Sequence, residues 1–185
     1  MKNAYLTSHF PILAILFFCL SFGIWSQQYI AAFLESAGIY QGMLEFFSDN
    51  GIKLTMLFVL MLVFFMIIAA LKLISDTMMG LSLLFFLSEE KGDIRSYLQS
   101  CAWIYLMAGG VSLFLTSYLY ILGGLFIGAT LVSFVYLIIR LAPSLRFAGV
   151  AGFLFLHLSF WGLFIFGTGY AGLRLYNSFL HSLPV

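Results

Sequence analysis

Five stretches of about 20 residues each are almost wholly apolar, and nearly every charge in the chain falls between or at the ends of them. A helix rises about 1.5 Å per residue, so about 20 apolar residues cross the roughly 30 Å of hydrocarbon in a bilayer. That pattern admits one class of fold: an all-α integral membrane bundle, a single transmembrane domain over residues 1–185. The spans are predicted at about 9–29, 52–73, 97–116, 121–141 and 147–167. Composition agrees, since 63% of residues are hydrophobic and 8% are charged. One water-soluble core of 185 residues could not hide that much apolar surface.

The connections are read from turn and breaker chemistry. Residues 35–51 link the first two spans, with a short amphipathic helix expected at 40–47 on the membrane interface. Ser48, Asp49, Asn50 and Gly51 make a strong turn and can cap the helix that follows. Residues 77–88 are the awkward piece. Added to the second span they would give a helix far too long for one crossing. Ser75 and Asp76 are therefore expected to end that span, and 77–88 to form a separate interfacial or re-entrant segment. Few residues join the third and fourth spans, and Pro143 should break the fourth. The N-terminal apolar run lacks a small-x-small cleavage pattern and is read as a retained first helix.

Orientation follows the positive charges. With the N-terminus in the cytoplasm, Lys2, Lys72, Lys91, Arg95, Arg140 and Arg146 lie inside, and Lys53 and Arg174 lie outside. The C-terminus is then outside.

Catalytic groups are scarce. All seven acidic residues lie in connections or at span ends. Cys19 and Cys101 belong to no ligand pattern and read as structural thiols. The intramembrane CAAX-type proteases carry Glu-Glu-x-x-x-Arg and Phe-x-x-x-His motifs. Here Arg95 falls one residue too far from Glu89 and Glu90, and Phe153 to His157 matches only by letter. The carboxylates stand outside the apolar runs, so ligands and base do not converge, and the assignment is rejected. No cofactor or metal fingerprint occurs, and a net charge of +1 marks no nucleic-acid partner.

His157 and Gln99 are the candidate polar intramembrane points, on a path through the bundle if the chain is a transporter. In its aromatic stripe His157 is expected to hydrogen-bond to a carbonyl or hydroxyl, with a ligand or proton site as the sharper alternative. Small residues show more order. Gly109, Ser112 and Thr116 share a face of the third span. Gly124 and Gly128 pair on the fourth, and Gly149, Gly152 and Ser159 share a face of the fifth. Such faces let helix backbones approach closely in lipid, within the bundle or against a second subunit.

The segments Met1-Lys2-Asn3, Glu45-Phe46-Phe47-Ser48-Asp49, Ala70-Leu71-Lys72-Leu73-Ile74, Leu83-Leu84-Phe85-Phe86 and Leu175-Tyr176-Asn177-Ser178 resemble the YufK-like membrane proteins of Bacillus. The resemblance implies a bacterial plasma-membrane location and supplies no catalytic residues. Taken together, the sequence leads to a non-enzymatic protein whose partners are the lipid bilayer and either another membrane protein or a second copy. A small transporter or channel component is the alternative, and a membrane enzyme stands third.

Overall fold

The computed structural model describes residues 9–86, 94–145 and 147–182. These form six α-helices and no strand among the described residues: α1 Phe10–Ser36, α2 Ile39–Leu44, α3 Asp49–Phe86, α4 Ile94–Ser112, α5 Leu119–Leu141 and α6 Phe147–Ser182. A 3-10 turn at Ala142–Ser144 follows α5, where Pro143 cannot continue the helical hydrogen bonds. Helices α1, α3, α5 and α6 are long and apolar enough to cross a membrane. The chain divides into two compact units, Met1–Ser75 with Gly92–Leu141 and Asp76–Lys91 with Ala142–Val185.

In the first unit α1 packs against α4, and α4 against α5. Phe18, Cys19 and Ile68 are buried at its centre, with Phe22, Phe64 and Phe126 against them. Ring geometry holds these positions: Phe126 meets Phe18 edge-on at 5.1 Å, and Phe22 stacks on Phe64 at 5.4 Å. Helices α1 and α4 come close together at Gly109. A Cβ there would lie 3.2 Å from the Ala14 carbonyl oxygen and 3.1 Å from the Phe17 side chain. Only glycine lets α4 ride so near the α1 backbone.

Helix α1 ends with Gly38 at φ 73°, the left-handed conformation glycine adopts without steric cost. Its N–H and that of Ala37 close on the Glu35 and Phe33 carbonyls at 3.0 Å. The chain then reverses into α2. Ser48 accepts the Gly51 N–H at 3.2 Å and so caps α3.

Three expectations need correction. Helix α3 does not stop at Ser75 and Asp76. It runs 38 residues without a break, about 57 Å, so 77–86 continue it. Residues 87 and 88 lie outside the described residues. The segment 74–78 contains neither Gly nor Pro, and a capping side chain ends a helix only where the backbone leaves helical geometry. Helix α6 likewise passes 167 and continues to Ser182, 36 residues, because no proline interrupts it before Pro184. Helix α4 instead stops at Ser112, short of 116. The Ser112 hydroxyl turns back to the Gly109 carbonyl at 2.6 Å, and the chain leaves through turns that bond Phe114 to Val111 and Leu115 to Ser112.

An unbroken α3 makes a measurable prediction. Solvent accessibility of single spin labels placed in turn at residues 70–82 should keep one 3.6-residue period through Ser75 and Asp76. A phase jump there would show that the helix ends, as the sequence alone suggested.

Candidate functional site

Within the second unit, α6 packs its first turns on the end of α3. Phe86 lies over Gly149 and directly against Gly152, where a Cβ would collide with its ring. Gly149 and Gly152 thus seat one aromatic side chain. Farther along the same contact, Ser82 and His157 are both buried. The Ser82 hydroxyl donates to the Met78 carbonyl at 2.8 Å. His157 Nδ1 lies 3.1 Å from the Phe153 carbonyl and 3.3 Å from Ser82 Oγ. A carbonyl only accepts, so Nδ1 carries the hydrogen and forks between these two oxygens. The ring of Phe153, almost fully buried, stacks on the imidazole at 4.3 Å.

This geometry decides what the pair can do. A histidine activates a serine by taking its proton, yet the Ser82 proton is committed to Met78 and the facing nitrogen is itself a donor. The pair therefore joins α3 to α6 through polar atoms that lipid could not satisfy. Ser159 is half-buried on the same helix.

The first unit carries two further polar sites. Ser21 on α1 and Ser112 on α4 are fully buried with their hydroxyls 2.7 Å apart. Each also has a carbonyl on its own helix, Phe17 at 3.0 Å and Gly109 at 2.6 Å. Outside the spans, Tyr40 on α2 donates to Asp49 at 2.6 Å, and Lys53 donates to the other carboxylate oxygen at 2.8 Å. The bonds from Lys53 and then Tyr40 hold the Asp49 carboxyl below its usual range. The bond to Asp49, with desolvation, pushes the Tyr40 phenol up.

A model described as a family of unknown function, DUF5366, matches residues 27–184. The chain belongs to this family. It is 40% identical to the "Uncharacterized membrane protein YufK" of Bacillus subtilis (strain 168), across 100% of both chains. No solved structure matches. The resemblance read from short segments is thus a full-length relationship, and this DUF5366 chain is a multi-pass membrane protein.

The small residues singled out in the sequence of this DUF5366 member part company in the structure. Gly109 and Ser112 are packed into α1, and Gly149 and Gly152 hold Phe86. Thr116 lies in the turn after α4, half-buried. Gly124 and Gly128 on α5 meet nothing: a Cβ at either has no atom within 4 Å. Gln99 lies in α4, and its side chain falls outside the described residues. Sequence reading missed Ser21, Ser82 and the Tyr40–Asp49 bond. Isolated serines inside apolar runs were the available signal for the first two. Among the described residues no three His, Cys, Asp or Glu side chains gather as a metal site would require.

The Tyr40–Asp49–Lys53 clasp has a predictable pH window. A lowered carboxylate adds stability above its ordinary pKa, near about 3.9, which is lost as pH falls through the lowered value. A raised phenol adds stability below about 10, which is lost as pH rises through the raised value. The difference in melting temperature between the natural chain and Tyr40→Phe in detergent should be flat from about pH 5 to 9. It should shrink toward both extremes. A difference that grows into acid would contradict the clasp.

Proposed function

We propose that this chain is a non-enzymatic plasma-membrane protein whose role is to bind another membrane protein through the outer face of α5. One observation carries the reading. Of the three small-residue faces marked in the sequence, those at Gly109 and at Gly149 with Gly152 are filled by neighbouring helices, whereas Gly124 and Gly128 stand open beside exposed Ile127 and Leu131. Glycine costs a helix about 0.8–1.0 kcal/mol relative to alanine. Two of them one turn apart make sense where another backbone must approach. The orientation that accompanies this reading, N-terminus in the cytoplasm and C-terminus outside, rests on the six-to-two division of Lys and Arg.

The glycines supply the test. Leucine is a good helix former, so Gly124→Leu or Gly128→Leu should leave abundance and folding intact. Each should abolish crosslinking to the membrane partner from a photoreactive residue at Ile127. Gly110→Leu, also at an open position, should retain the crosslink. Crosslinking that survives both α5 substitutions would refute the reading. A reporter fused at Val185 that is active in the cytoplasm would refute the orientation.

A further inference from the structure

We infer that α2 and the turn after it form a fixed apolar foot that inserts into the lipid headgroup and glycerol layer of the bilayer. The inference rests on the chain crossing the membrane and is independent of any partner on α5.

The depth follows from helix arithmetic. Lys53 and Lys72 bracket the apolar run of α3 and lie 19 residues apart, about 28 Å, which matches the hydrocarbon thickness of about 30 Å. Lys53 therefore stands at one boundary. Helix α3 begins at Asp49, four residues or about 6 Å beyond it. The headgroup layer on each side is itself about 5–7 Å thick. On the other strand of the connection, Trp25 and Tyr29 stack at 5.5 Å near the end of the first crossing, the residue types that favour this layer. The start of α3 and the connection that leads into it thus fall at the level of the headgroup layer.

The exposed side chains suit that layer. Phe46 is 81% exposed and Phe47 64%, and Ile39 and Leu44 are exposed beside them. Phe33 of α1 and Leu54 of α3, which belong to the crossing helices, are exposed as well. Lipid, the solvent of those helices, is thus the occupant of the foot as well. Attraction to anionic headgroups is not the cause. Glu35, Glu45 and Asp49 outnumber Lys53 here, so insertion is driven by apolar burial.

Helix α2 has only six residues and would not hold its shape alone. It is held from the inside. Tyr40 is buried with Ala31 and Ile52, packed by Met43 and Met56, and its hydroxyl is tied to Asp49. With Tyr40 fixed inward, Ile39 of α2 and Phe46 and Phe47 of the turn after it are left exposed before any lipid arrives.

The test places a nitroxide at Phe47→Cys in a Cys19→Ala, Cys101→Ala background, with the full chain in vesicles of phosphatidylethanolamine and phosphatidylglycerol. Collisions with oxygen should exceed those with a water-soluble nickel chelate several-fold, with or without phosphatidylglycerol. Dominant nickel collisions would place the foot in water and overturn the inference. Shielding from both reagents would mean that protein covers it, and would overturn it equally. Insertion that requires phosphatidylglycerol would overturn the apolar assignment. A second measurement needs no cysteine variant. In the natural chain, a phospholipid with a photoreactive headgroup should label the peptide containing 39–47, and Phe46→Ser with Phe47→Ser should cut that labelling several-fold. Labelling of the crossing helices without 39–47 would refute the foot.

Discussion

Hydrocarbon offers no hydrogen bonds, and the interior of this protein is organised by that fact. A serine or histidine inside a crossing helix must find its partners among other protein atoms. Ser21, Ser112, Ser82 and His157 each have one polar partner within reach on their own helix and one on a neighbour. Ser21 and Ser112 link α1 to α4, and Ser82 and His157 link α3 to α6. The first link works only because Gly109 brings α4 against the Ala14 carbonyl. About two turns of α1, from Ala14 to Ser21, face α4 in this way, and Phe18 also anchors the aromatic cluster of the first unit.

Much of this architecture is written in hydropathy. The starts of the helices, the turn after Gly38, the cap at Ser48 and the break at Pro143 all follow from residue types whose local physics is strong. Helix ends were harder to read where no such residue occurs. Ser75 and Asp76 look like a boundary because a bilayer-length argument asks for one, but a helix stops for local reasons, and none is present. The same holds beyond 167, where the fifth span is predicted to end and the helix continues to Ser182. Ser112 is the opposite case: α4 ends there, with the hydroxyl bonded back to Gly109, before the hydrophobic run is exhausted.

The polar sites were only partly legible. His157 stood out as the one imidazole deep in a predicted span, yet its partner Ser82 fell in the segment whose helical state was misread. Glycine spacing marked three faces as equivalent, since periodicity records which residues share a face and not what lies opposite. Packing then distinguished them. Gly109 faces backbone, Gly152 faces an aromatic ring, and Gly124 faces nothing within reach. Long-range pairing of this kind depends on tertiary placement, which a pattern along one helix cannot carry.

The doubled bonding of Ser21 also bears on how the protein is made. Helix α1 enters the membrane before α4, and Ser112 is synthesised 91 residues after Ser21. Throughout that interval the Ser21 hydroxyl has the Phe17 carbonyl, so the nascent helix never presents a bare donor to lipid. When α4 arrives, two hydroxyl protons have three contacts to serve, the two carbonyls and the meeting of the serines, so one hydroxyl turns its proton from its own carbonyl to the other serine. Joining the helices therefore requires one hydroxyl rotor to flip and leaves the backbone hydrogen bonds of both helices in place.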